Sequence, residues 1–161
     1  MDSDDSKTAL VEPPRGFHQA RVDEKGRCKL PAAVQSYFAG QNVKKVFITT
    51  LDTLTARLYP IPVWEQNEEL FDAAGDQAAE AEKVSFLAQH FGGDSDVDTQ
   101  GRVLVPQELR RELGLENQPV WLVYDKGAIA MYGEAIYKAK LAEARAEIAA
   151  AVGAMKKKGL R

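Results

Sequence analysis

The residues best placed to do chemistry in this 161-residue chain are two Asp–Arg pairs, Asp23 with Arg27 and Asp98 with Arg102, each Arg preceded by a Gly. They belong to one short device written twice, VDEKGRCKLP at 22–31 and VDTQGRVLVP at 97–106, 75 positions apart. An Asp opening a four-residue turn accepts the turn's own backbone N–H groups, and a Gly at its fourth position tolerates positive φ. Residues 23–26 and 98–101 are therefore predicted turns. An Arg that follows such a Gly can reach back to the Asp, and a bidentate carboxylate–guanidinium pair would lock the turn. The second chemistry open to the same Arg is to present its fork of donors to a phosphate or a guanine edge. One assembly could use both.

The elements that must hold these pairs also repeat. Pro31 and Pro106 each open an amphipathic stretch, AAVQSYFAG and QELRRELGL, which reads as a short helix with Pro in its first turn and Gly near its end. Two apolar runs of period two follow each helix: 46–50 with 54–59, then 120–124 with 128–132. Asp125-Lys126-Gly127 is a hairpin signal. Each copy thus reads as strand, turn, strand, helix and hairpin, too small to bury much core alone, and two copies packed together supply what is missing. Between them, 62–74 and 77–91 read as two helices broken near Gly75-Asp76, with Trp64 and Phe71 as core or subunit contacts. The stretch 134–155 reads as one long Ala-rich helix, closed by Lys156-Lys157-Lys158-Gly159.

The formal net charge of −3 argues against a simple nucleic-acid binder, but its distribution does not. Residues 15–45 carry a net +5, 64–91 a net −6, and 138–161 again +5. A basic first copy and a basic tail can form a focused positive face. The second copy, at −1 over 92–111, contributes less. Cys28, opposite Val103 of the second copy, is the only cysteine, so neither an intrachain disulfide nor a cysteine metal cage is expected. A cytoplasmic protein is the natural reading, with no spanning helix and no secretory signal. The acidic stretch 1–14 reads as a flexible tail. His18 and His90 sit in no catalytic pattern, and neither a P-loop nor a GxGxxG is present, so no enzyme, cofactor or metal is expected.

Beyond these readings, Arg15-Gly16-Phe17, Asp23 through Arg27, Leu30-Pro31, Leu58-Tyr59-Pro60, Trp64-Glu65, Asp98 through Arg102, Val105-Pro106, Leu109-Arg110 and Gly114-Leu115 closely resemble the MraZ family over about 15–141. These are bacterial transcriptional regulators with two SpoVT/AbrB-type swapped-hairpin modules. The resemblance implies an α+β, mostly β fold: a pseudo-twofold swapped-hairpin β-barrel from two tandem modules, with linker helices and a C-terminal helix. It implies module 1 at 15–60, linker helices at 61–91, module 2 at 92–133, and a C-terminal helix and basic tail at 134–161. It further implies a ring-shaped homo-oligomer, associated with the nucleoid and not with a membrane. Such an oligomer would bind repeated boxes in double-stranded DNA upstream of its own gene, at the head of the division and cell-wall cluster, and act mainly as a repressor.

On the family pattern Asp23, Arg27, Asp98 and Arg102 belong to the DNA surface, and Arg15 matches an Arg of the N-terminal segment. The chain's own charges add Lys25 beside Arg27 for base edges or groove phosphates, and Arg21 and Lys29 for positioning the backbone. Asp23 would hold Arg27 in its rotamer. The chain departs from the pattern at Gln35, where an Arg is usual four residues beyond the first Pro, whereas Arg110 keeps its place in the second copy. Its second linker helix, AEAEKVSFLAQH, also lacks the family's usual Args. The competing reading is an oligomeric protein-interaction module whose Asp–Arg pairs only brace hairpins. An antitoxin-like regulator with a protein partner on the C-terminal helix is a third, although such chains generally carry one module.

Overall fold

Alternating burial sets the first two strands: Val22 and Cys28 are wholly buried, while Arg21 and Lys29 stand in solvent and Arg27 is half-buried. These residues form β1 (His18–Val22) and β2 (Arg27–Lys29) of a computed structural model that describes residues 11–161. Most of the tail expected at 1–14 lies outside the described residues; within it, the Val11 side chain rests against Gly40. After β2 come α1 (Ala32–Gly40), β3 (Lys45–Thr50), β4 (Ala56–Pro60), α2 (Ile61–Asp72), a short 3-10 turn (Gly75–Gln77) and α3 (Ala78–Phe91). The second half repeats the order as β5 (Gly93–Asp96), β6 (Arg102–Leu104), α4 (Gln107–Leu113), β7 (Gln118–Asp125) and β8 (Ala128–Gly133), then adds α5 (Glu134–Arg145) and α6 (Ile148–Lys156).

The strands make one eight-stranded antiparallel sheet in the order β5-β3-β4-β8-β7-β1-β2-β6. Every strand of the first half has a neighbour from the second: β1 pairs with β7, β2 with β6, β3 with β5 and β4 with β8. The sheet nearly closes into a barrel where the Leu104 N–H donates to Ser95 Oγ at 2.8 Å. Neither half can bury its apolar face without the other, as the small size of each copy led us to expect. Val22, Cys28, Ile48, Leu58, Val103, Leu122, Ile129 and Met131 fill one continuous core drawn from both halves. Interleaving also explains the burial of Cys28 against Val103, its register partner. Desolvation pushes the Cys28 thiol up to about 12, so it stays protonated and unreactive.

A second cluster lies under α2 and α3. Trp64 packs against Phe47, Tyr59 and Phe71, so it is core, as its helical spacing suggested. Arg57 ties β4 to the β7–β8 hairpin by donating to Asp125 Oδ2 and its carbonyl at 3.1 and 3.0 Å. That hairpin turns on Lys126 and Gly127, both at positive φ.

Three sequence expectations need correction. Pro31 and Pro106 are helix N-caps with extended ψ, not first-turn residues, because the chain must still turn out of the β2 and β6 ribbons there. Leu54 is not in a strand: β4 starts at Ala56, since Asp52 Oδ1 accepts the N–H groups of Leu54 and Thr55 and folds the segment into a loop. The single helix expected at 134–155 is two, α5 and α6, broken where Ala146 is extended and Glu147 takes φ 56. Tyr137 stacks on Trp121 at 4.7 Å and meets Phe17 edge-on, which docks the start of α5. Beyond it the alanines offer little surface to bury, so high helix propensity is not joined to packing that would keep one axis.

Candidate nucleic-acid interface

Both Asp–Arg turns form, and each carboxylate serves more than its Arg. Asp23 Oδ1 accepts the backbone N–H groups of Lys25 and Arg27, both at 2.9 Å, and Oδ2 accepts Arg27 Nε at 3.3 Å. In the second copy Asp98 Oδ1 takes the N–H groups of Gln100 and Arg102, both at 2.8 Å, and Oδ2 takes Arg102 Nε at 2.8 Å. The expected bidentate fork is therefore absent. One carboxylate oxygen is spent on the backbone, so the guanidinium is gripped by Nε alone. Its two terminal nitrogens have no hydrogen-bond partner among the described residues. Such a grip fixes a rotamer while leaving the part of Arg that binds anions or guanine edges available.

The backbone N–H of Arg27 does most to hold the Asp23 carboxyl below its ordinary value, and that of Arg102 does the same for Asp98, each helped by the guanidinium. A folded-state value below the unfolded one contributes stability that is full above the unfolded value and is lost as pH falls through the folded one. Thermal stability should therefore show no loss from these two groups between pH 8 and 5, and a loss only below the ordinary Asp range. An Asp23→Asn, Asp98→Asn variant should lack that part of the acid transition. Comparing melting temperatures of the two proteins from pH 7 to 2 checks this, and identical acid profiles would contradict it.

The two turns are laced together. The Leu30 N–H donates to the Gly101 carbonyl at 2.8 Å, and the Val105 N–H donates to the Gly26 carbonyl at 2.9 Å. Between them β2 and β6 form a ribbon in register Arg27 with Leu104, Cys28 with Val103 and Lys29 with Arg102. Cross-strand partners share a face, so Arg27, Lys29, Arg102 and Leu104 look outward over the buried Cys28 and Val103. Arg27 and Arg102 are diagonal neighbours in this ladder, about 7–8 Å apart at Cα. Lys25 stands exposed at the tip of the first turn, and Asp94 and Asp96 of β5 flank the Arg102 side, where both Args line one shallow hollow.

Each position on the first copy's outer face has a counterpart in the second. Arg21 corresponds to Asp96, Lys25 to Gln100, Arg27 to Arg102 and Lys29 to Leu104. Leu104 is 53% exposed at the centre of this face. The structure thus gathers Lys25, Arg27, Lys29 and Arg102, with Asp23 and Asp98 behind their Args. It holds Arg21 to one side, where its guanidinium donates to the Asn117 carbonyl and Oδ1 at 2.9 and 3.1 Å. Arg15 lies before the far end of β1 and meets Glu12 at 3.6 Å.

Sequence reasoning missed the part played by Arg110 and Gln35. A Cβ on Gly26 would overlap the Arg110 guanidinium, and one on Gly101 would overlap the Gln35 amide. Each turn is therefore covered by the helix of the other copy. Arg110 donates to the Val105 carbonyl at 2.5 Å and to Glu116 Oε1 at 3.1 Å, while Gln35 donates to the equivalent Leu30 carbonyl at 2.6 Å. No carboxylate occurs among Gln41, Asn42 and Val43, where Glu116 has its counterpart, so an uncharged amide suffices at 35. The signal was in the sequence as the equal spacing of both residues from the prolines, but which turn each covers depends on the swap.

No family model matches the chain. Curated relatives do, under the name Transcriptional regulator MraZ. One from Acidobacterium capsulatum is 38% identical over 96 residues, 60% of this chain and 66% of that protein. One from Koribacter versatilis is 31% identical over 65% of this chain and 71% of its own length. One from Halorhodospira halophila is 30% identical over 85% and 90% respectively.

Proposed function

This chain belongs to the MraZ family of transcriptional regulators, and from that membership we propose that it binds repeated boxes in double-stranded DNA upstream of its own gene and represses that promoter as a ring-shaped homo-oligomer. Residues 15–60 and 92–133 act as its two modules, joined by the helices of 61–91, and 134–161 forms a C-terminal appendage. The observation that carries the reading is the β2–β6 ribbon. It sets Arg27, Lys29 and Arg102 on one face, with both Args oriented by carboxylates that leave their terminal nitrogens free.

On this reading Arg27 and Lys25 meet base edges or groove phosphates and Lys29 sits on the backbone. Arg102 contributes from the second module under the opposing field of Asp94 and Asp96. Arg21, engaged by Asn117, chiefly braces the entry to β7 and reaches a phosphate only by exchanging that partner. Arg15 meets the backbone from the other end of β1. One subunit supplies few charges, so affinity comes from several subunits on successive boxes, each later contact being effectively intramolecular.

The test is fluorescence anisotropy of a duplex from the gene's own upstream region against a scrambled duplex. Tight binding that prefers the native duplex is expected. Equal, weak binding to both would favour the reading in which the pairs only brace their turns.

A further inference from the structure

The α2–α3 pair carries an apolar surface that none of the described residues covers. Phe86 is 75% exposed and Leu70 66%, and the β3–β4 loop adds Leu54 at 50% and Leu51 at 38%. Leu51, Val84, Phe86 and Leu87 line an open groove of about 810 Å³, which runs on past Glu80 and Val84 to a second hollow at Leu70 and Phe71. Single exposed apolar residues need no explanation, but several sharing one groove mark an interaction site. Its surroundings are acidic, since 64–91 carries a net −6.

The opposite pattern is found in α6 and the residues after it. Ile148, Val152 and Met155 fall at i, i+4 and i+7 and share one face of a helix that contains no buried residue; Ile148 is 52% exposed and Met155 54%. Lys156, Lys157, Lys158 and Arg161 follow, giving 148–161 a charge of +4 with no acid. Leu160 among them is 48% exposed. The break at Ala146 and Glu147 turns this segment away from α5, and no residue of it lines either hollow of its own chain.

We propose that residues 148–161 of one copy dock in the α2–α3 groove of a second, with Ile148, Val152 and Met155 against Phe86, Val84 and Leu70 and the lysines against Glu80 and Glu82. Donor and acceptor are different surfaces, so the contact is head-to-tail and passes from subunit to subunit. Apolar burial supplies the attraction, and the opposite charges select partner and orientation. The proposal rests on the homo-oligomer part of the function proposed above, whose contacting surfaces it names, and is independent of DNA binding.

The test uses the full chain in two single variants, Phe86→Cys and Met155→Cys, mixed and mildly oxidised; the native Cys28 is buried and stays silent. The mixture should give a disulfide-linked dimer in at least about tenfold greater yield than Met155→Cys mixed with Thr99→Cys, because docking raises the local thiol concentration. That yield should fall with Lys157→Glu, Lys158→Glu on one partner or Glu80→Lys, Glu82→Lys on the other, and return when both are reversed. A yield no greater than the control, or one indifferent to charge reversal, would overturn the proposal. So would crosslinking found only within one chain of the Phe86→Cys, Met155→Cys double variant, which would put the segment on its own groove.

Discussion

Replacing Arg27 with Ala should weaken binding of the native duplex by about 2 kcal/mol, roughly thirtyfold, the range of a good bidentate Arg contact. Arg102→Ala should cost clearly less. Both Args share the Nε grip of their Asp and the same outer face. Their neighbourhoods differ: Arg27 has Lys25 and Lys29 two residues to either side in its own turn and strand, whereas Arg102 has Gln100 and Leu104 at those positions and meets one cation, Lys29, across the ribbon. An approaching phosphate therefore meets a cation reinforced on both sides at the first turn and a less reinforced one at the second. Anisotropy titrations of the two variants, each shown to melt like the parent, give the comparison. Equal losses would contradict the asymmetric account.

Arg110→Ala should destabilise the fold by about 2 kcal/mol, the cost of losing charge-assisted hydrogen bonds at a mostly buried side chain. Only 12% of that side chain is exposed, and its removal leaves the Val105 carbonyl short of a donor and uncovers Gly26. The melting temperature should drop by roughly 4–8 °C for a chain of this size. Gln35→Ala should cost about half as much, since it gives up one neutral hydrogen bond. DNA affinity should fall more with Arg110→Ala than with Gln35→Ala, because Arg110 covers the turn that carries Arg27. An unchanged melting temperature would contradict this role.

The repeat itself made the fold legible. Asp and Gly at fixed offsets gave both turns, period-two apolar runs gave the hairpins, and the small size of each copy required the two to share a core. Strand order was not legible by the same means. The pairing of β1 with β7 and of β2 with β6 joins residues far apart in sequence, and no local pattern states it. For the site, residue types and spacing identified the Asp–Arg pairs but not the division of labour within each carboxylate. That division arises because a tight turn exposes two N–H groups which compete with the guanidinium for the same oxygens. Propensity misled at Ala146 and Glu147, where an Ala-rich stretch breaks with no Gly or Pro within five residues of either. A helix with nothing to pack against has no reason to keep one axis.

If the β2–β6 ribbon touches DNA, the salt dependence of affinity must register its cations. Log affinity for B-DNA falls with log salt by about 0.9 for each phosphate neutralised. The measurement compares that slope, on the native duplex, for the parent and for an Arg27→Ala, Lys29→Ala, Arg102→Ala variant matched in melting temperature and oligomeric state. The variant should bind more weakly, with a slope shallower by about 0.9 for each phosphate contact removed. An unchanged affinity with an unchanged slope would contradict it.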